Sequence, residues 1–376
     1  MATLFEATRL KNIELRNRSV RSATWEGLAA DNGHPTHRLT QLLADLAAGG
    51  VGLIISSHAY VSREGQAGRF QLGVYDDGCV APLARMAEAV RKAGSPMVLQ
   101  IAHSGCRAPS EVTGKPPIGP STLSDKSRQY CREMTRHDIR QLQEAFARAG
   151  FRAEKAGFDG VQLHAAHGYL LTQFLSPLWN KRNDSYGGPI ENRARMLVET
   201  TRAIREAVGA GFLVMAKISC EDYLEGGFTV DDTLAACAML EQAGVDAIEM
   251  SGGEIFYSGE FQPSRMGQAA CPPEEAYYVE AAKQYKKAIK LPLILVGGIR
   301  SFEVAEGLIK GGVTDYVAFS RPLIAEPDLI KRWKSGNRER AECASDNLCF
   351  KPAYAGRGIY CLMKKKGKGR NTTPKR

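Results

Sequence analysis

The feature of this chain that most constrains its fold is a repeated alternation of short apolar segments with longer amphipathic segments. The apolar segments are rich in valine, isoleucine and leucine, which is typical of strands buried on both faces of a sheet. We predict strands at residues 19–23, 51–56, 97–101, 160–163, 213–218, 247–250, 293–296 and 316–319. Between them, apolar residues at helical spacing predict helices at residues 36–48, 80–93, 138–156, 190–207, 230–242, 273–289 and 302–310.

Strands that alternate with helices in this way favour an α/β fold, a parallel (β/α)8 TIM barrel. A doubly wound sheet is the alternative, but no GxGxxG motif follows the first strand, which argues against dinucleotide binding of the Rossmann kind. Residues 4–17 predict a small hairpin, which in a barrel would plug the amino-terminal mouth. Residues 102–137 are too many for an ordinary loop and include four prolines, so we expect an extended lid over the carboxyl mouth.

Length and composition predict one large domain in a reducing compartment. The chain has 376 residues, of which 44% are hydrophobic, and we expect a single domain over residues 1–362. It contains no apolar run of about 18 residues and does not begin with a basic region followed by an apolar stretch, so we expect neither a membrane span nor a signal peptide. Nine unevenly spaced cysteines favour free thiols and a cytoplasmic location.

The net charge of +9 is concentrated at one end of the chain. Residues 364–376 carry seven basic residues and no acidic one, so the rest of the chain is nearly balanced. We expect residues 363–376 to form a disordered, solvated tail. Contact of this tail with RNA or an anionic surface is the alternative, but nucleic-acid binding is not favoured.

The segment with the most chemical information follows the strand predicted at residues 160–163. It places His164, His167 and Tyr169 in a loop at the carboxyl end of that strand, where α/β barrels position their catalytic groups. Two neutral imidazoles can donate hydrogen bonds to one substrate oxygen, and a phenol can donate a proton. This combination suits the reduction of a double bond conjugated to a carbonyl.

Residues 164–193, HAAHGYLLTQFLSPLWNKRNDSYGGPIENR, closely resemble the old yellow enzyme family of FMN-dependent ene-reductases. The resemblance extends from about residue 3 to about residue 362. It implies a (β/α)8 barrel with non-covalently bound FMN. It also implies that NADH or NADPH reduces the flavin, which then passes a hydride to an activated alkene such as an enone or enal.

FMN requires backbone amides and a cation for its phosphate. Barrels commonly bind phosphate at the loops after the seventh and eighth strands. In this chain those loops contain Gly297 and Gly298, which permit close backbone approach, followed by Ser320 and Arg321, which supply donors and charge. The alternative is a pair of tight turns beside a structural arginine.

The flavin ring requires polar contacts along its edge. Gln100, which ends the third predicted strand, can contact the pyrimidine ring, and the family has a glutamine at this place. Lys217, in the fifth, would stabilise negative charge on the reduced flavin. The alternative for Lys217 is a salt bridge to Glu221 or Asp222. By position in the family pattern, further flavin contacts are expected from Ser22, Ala23, Thr24 and His164.

For the catalytic groups, the resemblance assigns roles to all three side chains. His164 and His167 would hold the substrate carbonyl oxygen, and Tyr169 would deliver a proton to the α-carbon. Zinc binding by the HxxH pair is a weak alternative because no third ligand is evident, and we predict no metal site. Packing of the two histidines in the core is also disfavoured, since both are predicted to lie beyond the strand.

Two positions depart from the family pattern. An ungapped alignment places Trp25 where relatives carry a residue that tunes the flavin potential, with Thr24 one residue earlier. This indole would narrow the site, stack on substrate or simply cover the barrel mouth. Cys343, Cys349 and Cys361 resemble the cluster site of iron–sulfur relatives such as 2,4-dienoyl-CoA reductase and trimethylamine dehydrogenase, but Asp346 replaces the second cysteine. We expect a vestigial site without a cluster, also because the chain stops at 376 without further nucleotide-binding domains.

The leading functional hypothesis is therefore an FMN-dependent ene-reductase. A dienoyl-CoA reductase-like or amine-dehydrogenating flavoenzyme is the second hypothesis, and an RNA-binding flavoprotein similar to the dihydrouridine synthases is the third. A flavin-binding protein without activity is the fourth, since Trp25 could block the site. Residues 102–137 and 258–271 are expected to set substrate shape. A homo-oligomer is compatible with the sequence.

Overall fold

The computed structural model describes residues 1–124, 129–254, 262–267 and 274–364. Its strands are β1 (Thr8–Leu10), β2 (Ile13–Leu15), β3 (Ser19–Arg21), β4 (Leu53–Ile55), β5 (Ala59–Tyr60), β6 (Met97–Ala102), β7 (Ile118–Gly119), β8 (Leu123–Ser124), β9 (Gln129–Glu133), β10 (Gly160–Ala165), β11 (Leu213–Ser219), β12 (Ala247–Ser251), β13 (Leu293–Val296) and β14 (Tyr316–Phe319).

The central sheet is a closed parallel barrel, as predicted. Its strands follow the order β3, β4, β6, β10, β11, β12, β13 and β14, and β14 pairs with β3 to complete the circle. Short β5 pairs with the end of β6. The doubly wound alternative is therefore wrong, because an open sheet would have left two edge strands unpaired.

Helices surround the barrel. They are α1 (His37–Ala48), α2 (Val80–Lys92), α3 (Ser110–Thr113), α4 (Arg136–Lys155), α5 (Leu170–Leu175), α6 (Ile190–Arg193), α7 (Arg195–Val208), α8 (Val230–Ala243), α9 (Val279–Ala288), α10 (Phe302–Lys310), α11 (Arg321–Ala325), α12 (Leu329–Lys334) and α13 (Phe350–Tyr354). Threonine side chains cap the first turns of α4 and α8 in capping boxes. In the described residues, no helix is long and apolar enough to cross a bilayer.

Several predicted bounds differ from the structure. The predicted helix 190–207 is two helices, α6 and α7, which meet at Ala194, and the helix predicted to begin at residue 273 begins at Val279. Strand β3 ends two residues before the predicted bound. Strand β10 runs two residues longer, because its register with β11 continues through the pairs His164–Lys217 and Ala165–Ile218.

The amino-terminal hairpin of β1 and β2 closes one mouth of the barrel, as expected. Leu10 and Leu15 are each 1% exposed and pack against apolar side chains inside the barrel. Lys11, at the hairpin turn, donates to Asp246 Oδ1 at 2.8 Å and so ties the plug to the start of β12. One core cluster contains buried apolar side chains from almost the whole chain, the first being Leu4 and the last Ala341.

The long segment predicted as a lid contains structure of its own. Strands β7, β8 and β9 form a small three-stranded sheet, and residues 125–128 lie outside the described residues. Arg182 donates to the carbonyls of Pro120 and Met134, which fixes this sheet beside the loop that follows α5. The predicted tail lies outside the described residues from 365 onwards.

Candidate active site

A cavity at the carboxyl ends of the barrel strands contains all of the predicted site residues. We call it the inner cavity. Its lining includes Ser22, Ala23, Thr24, Gln100, His164, His167, Tyr169, Lys217, Gly297, Gly298, Ser320 and Arg321. These residues come from six barrel strands and the loops that follow them, so the closed barrel brings together side chains up to 299 positions apart. Their chemical roles remain predictions.

The three predicted catalytic side chains form one aromatic cluster. The rings of His164 and Tyr169 lie 4.6 Å apart, and those of His164 and His167 lie 5.4 Å apart. His164 lies within β10 rather than beyond it, which corrects the predicted loop position. Its Nδ1 atom is buried without a hydrogen-bond partner in the described part of the chain. A buried polar atom of this kind is available to a ligand.

His167 is held in a strained backbone conformation. Its φ of 64° lies in the left-handed region, which is uncommon for a residue other than glycine. Its amide donates to Ser219 Oγ at 3.1 Å, and its Nε2 shares a 2.7 Å hydrogen bond with Ser251 Oγ. Backbone strain of this kind persists only where surrounding contacts hold the residue, and it is frequent at active sites. Here it fixes the ring of His167 in the inner cavity.

Sequence reasoning missed a third histidine of the cluster, His58. Its Nε2 and the Tyr169 hydroxyl share a hydrogen bond of 3.2 Å, and its ring lies 6.0 Å from that of His164. His58 follows β4 at the same mouth of the barrel. The sequence did contain a signal, because His58 lies two residues beyond a predicted strand, where site residues are expected. Its partner Tyr169 is 111 residues away, so the contact itself could not be predicted.

The cluster is electrically neutral at ordinary pH. Burial holds the pKa values of His164 and His167 well below the usual imidazole range, and the nearby Lys217 ammonium lowers both further. Burial also lowers the pKa of His58 to about 4 and raises the pKa of the Tyr169 phenol. The imidazoles therefore act as neutral hydrogen-bonding groups, and the phenol keeps its proton.

A buried polar network forms the floor of the inner cavity. Lys217 Nζ donates to Glu249 Oε1 at 3.0 Å and to Ser22 Oγ at 2.8 Å. Glu249 Oε2 accepts from Gln162 Nε2 at 2.8 Å, and Gln162 Oε1 accepts from Gln100 Nε2 at 2.7 Å. Lys217 therefore does form a salt bridge, but with Glu249 on the next strand rather than with the alternatives Glu221 or Asp222. Glu249 and Gln162 were not predicted.

The opposite end of the cavity suits an anion. Gly297 and Gly298 have φ values of 128° and 72°, and a Cβ on either would lie 2.7 Å or less from a tyrosine ring. Their backbone is therefore confined to glycine. Arg300 Nη2 and Ser345 Oγ are buried there without hydrogen-bond partners in the described residues. Unpaired donors around a glycine turn suit a phosphate group.

The remaining predicted residues complete this end. Thr24 Oγ1 and Ser320 Oγ share a 2.7 Å hydrogen bond, which joins the residues after β3 to those after β14. Arg321 is 8% exposed, and its Nη1 donates to Asn347 Oδ1 at 2.8 Å and to the carbonyl of Arg265. The guanidinium is thus positioned by two acceptors at the edge of the cavity.

A second, larger space adjoins the inner cavity, and we call it the outer cleft. Its volume is about 1080 Å³, against about 210 Å³ for the inner cavity. Trp25, His58 and Tyr169 line both spaces. Trp25 thus stands at the boundary of the two, and its ring lies 5.2 Å from that of Tyr354. The predicted shape-setting segment 258–271 is described only at residues 262–267.

The cysteine-containing segment forms a small cavity of its own beside Arg321. Cys343, Cys349, Cys361 and Asp346 all line it. Burial raises the pKa of the Cys349 thiol to about 12, and Asp346 Oδ1 accepts a hydrogen bond from the amide of Leu348. No group of three histidine, cysteine or acidic side chains in the described residues is arranged to hold a metal ion. The cavity contains three thiols and a carboxylate, one thiolate fewer than the four that normally hold a [4Fe–4S] cluster.

We predict that the protein purifies without a cluster and that Asp346→Cys gains one. Four thiolates hold a [4Fe–4S] cluster, and the substitution supplies the fourth. After anaerobic reconstitution with iron and sulfide, D346C should bind about four iron atoms per chain, and the unmodified protein should bind almost none. Asp346→Ser is the matched control. Stoichiometric iron in the unmodified protein would contradict this prediction.

The fold and the site together define the protein class as a TIM barrel with a cofactor cavity at its carboxyl mouth. One end of this cavity suits a phosphate group, and the other end suits a polar ring.

Comparison with known proteins supports this class. Residues 3–340 match the NADH:flavin oxidoreductase / NADH oxidase family. The NADH oxidase of Thermoanaerobacter brockii is 38% identical over 92% of this chain, and the NADPH dehydrogenase of Listeria welshimeri is 30% identical over 88%.

Solved structures show the same relationship. A 2-naphthoyl-CoA reductase superposes with a TM-score of 0.87 at 27% identity over 96% of this chain, and the old yellow enzyme homologue from Zymomonas mobilis with 0.74 at 28% over 91%. The chain covers 53% of the Thermoanaerobacter protein and 56% of the 2-naphthoyl-CoA reductase, but 94% of the Listeria enzyme and 96% of the Zymomonas one.

The chain belongs to the NADH:flavin oxidoreductase family, that is, to the old yellow enzyme family, as predicted. FMN is the cofactor of this family, and the two relatives named above are an NADH oxidase and an NADPH dehydrogenase. The inner cavity fits this cofactor: the glycine turn and the unpaired Arg300 and Ser345 donors suit the phosphate, and Gln100 and Lys217 suit the edge of the ring.

Proposed function

We propose that this protein reduces the carbon–carbon double bond of α,β-unsaturated carbonyl compounds with electrons from NADH or NADPH. The observation that carries the proposal is the cluster of His164, His167 and Tyr169, which lines the same cavity as the residues suited to FMN. Neutral donors and a protonated phenol within about 5 Å of one another are what reduction of an enone requires.

In this proposal the two imidazoles bind the substrate carbonyl oxygen. His164 Nδ1 lacks a partner in the described residues and can donate to that oxygen, while Ser251 holds the other ring through its Nε2. Hydrogen bonds to the oxygen withdraw electrons from the conjugated β-carbon and stabilise the enolate. FMN held by the glycine turn, Gln100 and Lys217 would supply the hydride chemistry that links NAD(P)H to the β-carbon.

Tyr169 then gives its phenolic proton to the α-carbon. The double bond gains one hydride and one proton, and NAD(P)H becomes NAD(P)⁺, so electrons and atoms balance. His58 Nε2 lies 3.2 Å from the Tyr169 oxygen and is placed to hold the phenol in position and to pass a proton back to it from solvent. Burial keeps this imidazole neutral, so that it can both accept and donate.

A second candidate is the reduction of a conjugated thioester. The observation that favours it is the likeness to the 2-naphthoyl-CoA reductase over nearly the whole chain. A thioester carbonyl would be bound by the same imidazoles, so the catalytic groups do not distinguish the two. The RNA-binding alternative is not proposed, because no observation on the described lining of the inner cavity favours a nucleic acid.

Anaerobic absorption spectra test the proposal directly. The flavin band should bleach when NADH or NADPH is added and return when cyclohexenone is added in place of oxygen. A conjugated acyl-CoA in a parallel cuvette distinguishes the second candidate. Recovery with the thioester and not with the enone would replace the first candidate by the second. Recovery with neither would refute both as reactions of this cavity.

A further inference from the structure

A buried carboxylate lies beneath the floor of the inner cavity, and the proposed reaction gives it no role. Glu249 is a residue of β12, and its side chain is fully buried. It lines neither the inner cavity nor the outer cleft, whereas its partner Lys217 lines the inner cavity. An effect of Glu249 on a bound cofactor must therefore pass through the residues that contact its carboxylate.

The hydrogen bonds of the Glu249 side chain lead toward the inner cavity. Its Oε1 accepts from Ser22 Oγ at 2.5 Å and from Lys217 Nζ at 3.0 Å, and both of these residues line that cavity. Its Oε2 accepts from Gln162 Nε2 at 2.8 Å. Gln162 in turn accepts from Gln100, a third lining residue, at 2.7 Å. The carboxylate thus holds the polar groups of the floor in place.

The Lys217–Glu249 pair is shielded from water. The two side chains are only 4% and 0% exposed, and neither forms a second ion pair in the described part of the chain. Charges in so dry a place interact strongly, because little solvent screens them. The carboxylate of Glu249 therefore offsets the electric field that the Lys217 ammonium would otherwise direct into the cavity.

The strength of this field matters for a flavin. The lining of the inner cavity fits FMN, the cofactor of the family. A reduced flavin ring can carry a negative charge that the oxidised ring lacks, and protein charges near the ring tune its reduction potential. A lone ammonium would stabilise the reduced form and raise the potential. An ammonium that is paired with a buried carboxylate does so less.

We propose that Glu249 is a positioning residue that lowers the reduction potential of the bound flavin by neutralising Lys217. The reduced flavin is then a stronger hydride donor than it would be beside an unpaired ammonium. This role depends on FMN and not on the identity of the substrate. A failure to reduce enones would therefore refute the proposed function and leave the role of Glu249 unaffected.

Glu249→Gln tests this role, because it removes the charge and nearly keeps the size of the side chain. The midpoint potential of bound FMN, measured anaerobically by equilibration with a reference dye, should rise. We expect the affinity for reduced FMN to increase about tenfold relative to that for oxidised FMN, which corresponds to about 30 mV for a two-electron couple. A purely structural role would weaken both affinities equally. An unchanged or lower potential would overturn the proposal.

Glu326→Gln is the matched control. The Glu326 side chain is 4% exposed and pairs with Arg332 at 2.9 Å, but it lines neither the inner cavity nor the outer cleft. Its replacement should leave the potential unchanged. Glu249→Asp keeps the negative charge, so its potential should stay closer to that of the unmodified protein than the potential of Glu249→Gln does.

The double variant Lys217→Met/Glu249→Gln provides a second test if Glu249→Gln binds too little FMN. It removes both charges, so at saturating FMN its potential should lie within about 30 mV of the unmodified value. If Glu249 did not offset Lys217, the double variant would show the full loss of the cation. A larger fall in its potential would therefore overturn the proposal.

Discussion

Tyr169→Phe should slow the reoxidation of reduced flavin by cyclohexenone about 10²–10⁴-fold, the range typical of a lost general acid. Flavin reduction by NADH should change by less than about twofold, since hydride transfer to the flavin needs no proton from this phenol. The substitution removes one oxygen atom, the one that lies 3.2 Å from His58 Nε2, and keeps the ring that packs against His164. Stopped-flow absorbance of the two half-reactions measures both rates separately.

The pH dependence of the same rate tests whether the imidazole that contacts the Tyr169 phenol must be neutral for the reaction. The pKa of His58 is lowered to about 4 and that of the Tyr169 phenol is raised, so neither group titrates near neutrality. We expect the reoxidation rate of the unmodified enzyme to be flat between about pH 6 and pH 9. It should decline only as the pH falls toward the lowered imidazole pKa values, where protonation removes the neutral acceptor.

Tyr285→Phe is the matched control, because Tyr285 lies in α9 outside both cavities and its hydroxyl donates to the carbonyl of Leu291 at 3.2 Å. It should leave both half-reactions unchanged. An equal slowing of flavin reduction and reoxidation in Tyr169→Phe would remove the assignment of Tyr169 as the acid. His58→Ala should slow reoxidation less than Tyr169→Phe does, because water can replace the imidazole as a proton source.

The barrel was predictable because its strands are buried on both faces and therefore nearly uniform in composition. The same logic predicted that the residues expected to contact the cofactor lie together, since the carboxyl ends of parallel strands must meet at one mouth, and they line one cavity. The position of His164 was less predictable. The change from strand to loop depends on how far the partner strand β11 continues, and pairing of His164 with Lys217 extends β10 past the last aliphatic residue.

The polar floor of the cavity was missed for a different reason. Gln162 and Glu249 each lie inside an apolar strand, where the prediction assigned the whole segment to the core. A single polar residue in such a strand is itself a signal, because a buried amide or carboxylate must find partners. Their partners come from other strands of the closed barrel, up to 227 residues away, so the sequence could not reveal them.

The largest effect on stability is expected at Glu249. Its side chain is fully buried, and that of its partner Lys217 is 4% exposed. Glu249→Leu leaves the ammonium in the barrel without a counter-charge, and removes the acceptor for Ser22 Oγ at 2.5 Å. Breaking one side of a buried ion pair reduces the free energy of unfolding by about 3–5 kcal/mol. Urea denaturation of the flavin-free protein measures this, because bound FMN would add stability by mass action.

The double variant Lys217→Met/Glu249→Leu separates the pair from the packing around it. Removing both charges leaves no unpaired ion, so the double variant should be more stable than Glu249→Leu alone. Glu14→Leu is the surface control: its side chain is 87% exposed, and its effect should stay within about 0.5 kcal/mol. A double variant less stable than the single one would show that the cation is stabilised by other groups.

Flavin affinity in Lys217→Met, Glu249→Leu and the double variant separates the structural role of the pair from its role toward the cofactor. Lys217→Met, alone or with Glu249→Leu, should weaken FMN binding, because the cation expected to face the ring is lost. Glu249→Leu keeps the Lys217 ammonium but removes its only carboxylate partner in the described residues. The decrease in FMN affinity should therefore be smaller than in Lys217→Met. If the double variant regains stability but still binds FMN weakly, the function of Lys217 is to bind the cofactor rather than to stabilise the barrel. Equal FMN affinity in all three would leave the pair a purely structural one.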